Sequence, residues 1–231
     1  MKKLLPYIIV VSFVISCGEN HNGTMTVNGN IDGLKKGTLF LQKMKDTLLI
    51  SVDSIQLNGT SDFILADNIE SSEIYYITLG EKPEEQIMFF GEKGEITITS
   101  KLAKLTTSAK ITGSSNQLLF EEYKEMSSKF NGKQLDYIKE RFEAAQAKDQ
   151  ELVLEIEKSQ NNLIKRKYLY TTNFALTHSN AEVAPFLALT ELYNANIKLL
   201  DTINNSLSSN VKASKYGIQL DKFVNNIKKN E

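Results

Sequence analysis

The hydrophobic period of this 231-residue chain changes once, at Gly113-Ser114-Ser115-Asn116, and that change limits its fold more than any other feature. From Thr24 to about Thr112 apolar residues alternate with polar ones, as on strands with one buried face. Met25, Val27 and Ile31 interleave with Thr24, Thr26 and Asn28. The runs Thr38 to Leu41, Leu48 to Val52, Ser54 to Leu57, Ile74 to Leu79, Ile87 to Phe90 and Glu95 to Thr99 continue the series. Glycines and polar clusters separate them, and Asn58-Gly59, set between Ile55/Leu57 and Phe63/Leu65, predicts a hairpin. Many short strands at this spacing predict an antiparallel sandwich or a partly open barrel.

After Asn116 glycine nearly vanishes, and Leu118, Leu119, Tyr123, Met126 and Phe130 recur at helical spacing, with Ser115 or Asn116 as the cap. Asn131-Gly132 predicts a break. A second helical stretch follows from about Lys133 to Thr177, interrupted at most once. Its Leu135, Ile138, Phe142, Ala145, Leu152 and Ile156 lie close to a heptad seam. A stretch this long either folds back as a hairpin or supplies an interaction surface. His178-Ser179-Asn180 ends it. Glu182 to Leu189 opens another helix with Pro185 in its first turn, and Lys215 to Lys228 is a last amphipathic helix through Tyr216, Leu220, Phe223, Val224 and Ile227. The expected class is therefore α+β. An N-terminal antiparallel β-sandwich or partly open barrel, residues 24–113, precedes a C-terminal helical domain, residues 114–231, with a long helical hairpin.

The first 23 residues read differently. Lys2 and Lys3 precede an apolar stretch from Leu4 to Ile15, too short for the roughly 20 residues a bilayer crossing needs. Val14-Ile15-Ser16-Cys17 then closes the stretch in the manner of a lipobox, the cleavage site of bacterial lipoprotein signals. On this reading residues 1–16 are a signal peptide, Cys17 becomes the acylated first residue, and residues 17–23 form a tether. More than one acyl chain suffices for stable anchoring. Cys17 is the only cysteine, so no disulfide or Cys-x-x-Cys pair is expected, and no thiol–disulfide exchange. The composition, 41% apolar and 24% charged, is that of a globular chain. A net charge of −1 gives no reason to expect nucleic acid as a partner.

Candidate chemistry is sparse. His21 falls in the tether and His178 at a helix end, and neither has a second ligand at metal spacing, so no metal and no cofactor is expected. No Gly-x-Ser-x-Gly is present to nominate a nucleophile. Glu121, Glu122 and Glu125 read as a solvated face near a helix start, as do Glu151, Glu155 and Glu157 beside Lys148 and Lys158. Tyr75-Tyr76 and Phe89-Phe90 are adjacent aromatics on strands, so one of each pair faces the core and the other faces outward or lies under the helices. An outward ring could stack on a sugar, which makes these four the candidate ligand-binding residues.

Several of these segments resemble a known family. Thr26 to Leu34, Gly37 to Leu41, Asp53 to Gly59 with Phe63, Gly91 to Ile98, and Ile111 to Ser114 with Asn116 resemble a domain of unknown function found in bacterial envelope lipoproteins. Asn180 to Leu189 and Ser206 to Leu220 resemble the segments that follow it there, so the likeness covers roughly residues 24–228. In many such proteins a thioredoxin-like thiol–disulfide oxidoreductase domain, of the AhpC/TSA type, begins about where this chain ends. The resemblance thus implies a fold and an address, a lipid-anchored protein of the Gram-negative envelope with the outer membrane favoured, facing the periplasm or the surface. It carries over no redox activity. The functional expectation is a non-enzymatic envelope lipoprotein that binds or scaffolds a protein partner, one specific form being an accessory to a separate thioredoxin-like protein. The alternative is a surface lipoprotein that captures a glycan or a small hydrophobic ligand.

Overall fold

The structure is a computed structural model and describes residues 22–80 and 85–230. Cys17, the lipobox residues Val14, Ile15 and Ser16, and His21 lie outside the described residues. Eight strands come first: β1 (Met25–Asp32), β2 (Lys36–Lys45), β3 (Leu48–Asn58), β4 (Asp62–Asp67), β5 (Glu73–Leu79), β6 (Gln86–Gly91), β7 (Gly94–Lys101) and β8 (Lys110–Thr112). They form two four-stranded sheets, ordered β4-β1-β7-β8 and β3-β2-β5-β6. The result is a sandwich, and it is antiparallel except where β1 runs parallel to β7. Alternation decides what lies between the sheets: Met25, Val27, Leu39, Leu41, Phe63, Leu65, Ile77, Ile96 and Ile98 are buried there.

The Asn58-Gly59 hairpin is not formed. β3 pairs with β2 and β4 with β1, so Asn58-Gly59 marks the corner where the chain leaves one sheet for the other. Gly59 takes the left-handed backbone its turn needs (φ +95°) and donates its N–H to Lys35 O at 2.8 Å. Asp53 ties the corner. The β2–β3 register slips beside it, between Leu41 and Gln42, and its carboxylate accepts from Ser54 N on its own strand and from Ala66 N on β4, both at 2.8 Å.

At Gly113 (φ +99°) the backbone passes so close to Glu95 O that a Cβ would collide with it, and α1 begins two residues later. The helices are α1 (Ser115–Gln146), α2 (Gln150–Thr177), α3 (Val183–Glu191), α4 (Ile197–Ser206), α5 (Ser209–Lys212) and α6 (Lys215–Asn230). Ser114, one residue before the expected caps, accepts from Gln117 N. Asn131-Gly132 does not break the helix. One glycine in a helix interior costs only about 1 kcal/mol, which the cooperative turns on either side outweigh. The reversal falls instead at Ala147-Lys148-Asp149, where Lys148 has φ +60° and the Asp149 carboxylate accepts from Leu152 N to start α2. α1 and α2 thereby form the long hairpin.

The two halves share a core. Ile74 of β5 and Phe90 of β6 pack with Phe120, Tyr123, Phe174, Val183, Leu187 and Tyr216 from the helices. Phe90 meets Phe120 and Phe186 edge-to-face at 5.5 and 5.2 Å. Hydrogen bonds cross the same seam. The Tyr216 hydroxyl accepts from Ile74 N (2.9 Å), and Gln117 Oε1 accepts from Phe90 N on the edge strand β6 (2.9 Å), which closes that edge to further pairing. A purely helical core around Ala184, Ala188, Leu200, Ile203, Leu220 and Val224 completes the body. Among the described residues no helix is long and apolar enough to cross a membrane.

Candidate functional site

The four aromatic candidates are structural in their placement. Tyr75 and Phe89 are fully buried between the sheets, Phe90 is fully buried under the helices, and Tyr76 is half-buried in the shared core beside Met88. The alternation of adjacent rings is as expected, and the outward member of each pair goes to the helices. Packing encloses the rings of Tyr75, Phe89 and Phe90, and Tyr76 keeps part of its surface exposed.

Other polar groups are also committed to holding the fold. Glu92 receives the Ser114 and Ser115 hydroxyls at 2.9 and 2.8 Å and Asn116 N at 3.2 Å, all at the start of α1. Burial opposes its charge, but these donors prevail and hold the carboxyl below the usual carboxylate range. Asn116 in turn bonds Glu182 and accepts from Val183 N, which fixes the start of α3 against the start of α1. Tyr123 shares a 2.8 Å hydrogen bond with Thr171 across the hairpin, and burial pushes its phenol up to about 12. His178 caps α2 with its ring against Phe174. Glu125 pairs loosely with Lys129 and Glu157 with Arg141 on exposed helix faces. No group of three His, Cys, Asp or Glu side chains suited to a metal ion occurs among the described residues.

The hairpin is different. Beyond Ser127 the only buried residue of α1 is Ala144, and before Thr171 the only buried residues of α2 are Ile156 and Gln160. The two helices contact each other through Tyr123 and Phe130 on α1 and Tyr170 and Phe174 on α2, and farther out through Arg141 and Glu157. Of the expected heptad residues, Ile156 is buried in the hairpin, while most of the others turn away from the partner helix. Leu135, Ile138 and Phe142 are 67%, 45% and 63% exposed.

Helical geometry explains where they point. Eighteen residues make about five turns, so residues eighteen apart share a direction. Gln117, Phe120 and Ser127 are buried against the body, and Leu135, Ile138 and Ala145 are their counterparts one such interval on; Phe142 has as its counterpart the exposed Lys124, whose ammonium lies over the Phe120 ring. On α2 the buried Thr172 has Leu154, 64% exposed, as its counterpart. Both helices thus continue, past the end of the body, the face on which α3 and β6 are seated nearer its base. At the boundary, where α3 ends, lies a cleft of about 310 Å³ with Phe130, Leu163, Ile164 and Tyr168 in its wall. The Lys167–Glu191 pair closes one side at 2.9 Å. Amphipathicity was legible in the sequence. That the apolar stripe would be left uncovered was not, because periodicity does not report what packs on a face.

Residues 25–120 match a family described as a domain of unknown function (DUF4369). The match runs past the last strand to Phe120, the α1 side chain packed on Phe90, so the matched unit includes the first turns of α1 with its Glu92 cap. No curated protein and no solved structure matches the chain.

Proposed function

We propose that this protein is a non-enzymatic lipoprotein of the bacterial cell envelope, held to the membrane through acylated Cys17, whose α1–α2 hairpin docks a partner protein. The observation that carries the docking role is the uncovered stripe of Leu135, Ile138 and Phe142 with Leu154. Contiguous exposed apolar surface on a folded protein marks an interaction site. Its occupant is an apolar helix, because α3 (Val183 to Glu191), apolar along most of its length, already occupies the same face of the hairpin nearer the body. The 310 Å³ cleft at the end of α3 would receive one large side chain from that helix. The resemblance of residues 24–228 to envelope lipoproteins suggests a separately encoded thioredoxin-like protein as the partner. The Val14-Ile15-Ser16-Cys17 run supports the anchor.

A photo-crosslinking residue introduced in living cells at Ile138 or Phe142, and at the outward-facing control positions Asp136 and Glu143, tests the docking role. The expected result is one recurrent adduct at 138 and 142 only, mapped by mass spectrometry to a helical segment of a different protein. Equal labelling at the controls, or adducts only with a second copy of this chain, would overturn it. Labelled palmitate tests the anchor: incorporation should occur and should vanish in Cys17→Ala.

A further inference from the structure

A second surface lies at the junction of the sandwich and the helices, beside the point where the chain enters β1. Met25 pairs with Asp67, whose carboxylate takes the Lys43 ammonium at 2.6 Å and the Tyr75 hydroxyl at 2.6 Å. Lys215, the first residue of α6, bonds Glu73 and also donates to Met44 O at 2.7 Å. This network fastens the tip of the β2–β3 hairpin to α6, and a cleft of about 380 Å³ opens between them. Lys43 and Lys215 line the cleft already neutralised, by Asp67 and Glu73. Lys45 and Lys222 line it with no carboxylate bound among the described residues, and Asp46 is the other acid in the wall. The rim is apolar. Leu48 at the start of β3, paired with Lys45 and on its face of the strand, is 69% exposed, and Ile218 on α6 is 44% exposed.

Exposed apolar side chains at the hairpin tip and on α6, beside lysines that bind no carboxylate among the described residues, are the two components of a lipid-facing surface. The apolar side chains enter the interface, and the ammonium groups meet headgroup phosphates. The start of β1 lies at the same junction. Residues 17–23 can span at most roughly 25 Å even when fully extended, so a lipid on Cys17 would keep this junction close to the bilayer. We infer that the β2–β3 tip and the first turns of α6 rest on the membrane surface, with Leu48 and Ile218 inserted at the interface and Lys45 and Lys222 contacting anionic lipid phosphates. The orientation this implies rests on the anchor proposed above.

The chain contains no tryptophan, so one introduced indole is a clean probe. Full-length Leu48→Trp and, as control, Leu154→Trp are reconstituted into vesicles of phosphatidylethanolamine and phosphatidylglycerol, with and without lipids brominated high in the acyl chain, and palmitate content is measured on the same samples. The expected result is a blue-shifted, bromine-quenched emission for Leu48→Trp and neither for Leu154→Trp. In protein lacking palmitate the same quenching should persist at low salt. There each of Lys45→Gln and Lys222→Gln should weaken partitioning about five-fold. Palmitate present with an unquenched indole at position 48 would overturn the inference and leave the anchor standing. Palmitate absent would overturn the anchor, and quenching would then still decide the surface. Quenching unaffected by both lysine substitutions would leave the apolar side chains in place and refute the phosphate contact.

Discussion

Single side chains hold the two halves together, and two of them make the account testable at this scale. Glu92 joins the β6–β7 turn to the start of α1 by accepting from two serines and a backbone N–H. Its carboxyl is held below its ordinary value near 4.5, so its contribution is present above that pH and is lost as pH falls through the lowered value. Glu92→Gln should cost about 1 kcal/mol at pH 7, a modest figure because the group is partly exposed. The difference from wild type should shrink towards zero by strongly acid pH, as followed by thermal melts at several pH values. Tyr216→Phe tests a buried bond. It strands the Ile74 N–H beneath the helices and should cost about 1–3 kcal/mol in urea unfolding with an unchanged m-value.

Elements show how far local sequence carries and where it stops. Strand alternation and the loss of glycine after Asn116 come from burial on one face and from backbone entropy, and both lie in the residues themselves. The sandwich followed by helices was therefore legible. Asn58-Gly59 and Asn131-Gly132 misled for one reason: turn chemistry is local, and neighbours decide the outcome. At Asn58-Gly59 the next strand found a partner in the other sheet. At Asn131-Gly132 the flanking turns were already committed to helix. A Cβ at Gly132 would meet nothing within 4 Å, so Gly132→Ala should stabilise the hairpin by about 0.5–1 kcal/mol, seen as a higher melting temperature. The exposed apolar stripe of the hairpin was only half legible. Leu135, Ile138 and Phe142 could be read as a stripe, but whether a stripe is a seam or a free face depends on where the body ends.

At the scale of the whole molecule, sandwich and helices are joined by one aromatic cluster, Phe90, Phe120, Phe186 and Tyr216, across the seam. Phe90→Ala should cost about 3–5 kcal/mol and lower the melting of strands and helices together, in one calorimetric transition. The matched family region, ending at Phe120, already includes the helical side of that contact. What the body does not use is the far half of the hairpin. There, on the reading proposed above, Leu135, Ile138 and Phe142 serve a partner rather than the fold. The most direct test is the amount of partner captured in cells by the triple variant L135Q/I138Q/F142Q, normalised to a protein whose melting temperature is checked alongside. The account predicts an unchanged melting temperature and loss of the captured partner. Capture at the wild-type level by the folded variant would contradict it.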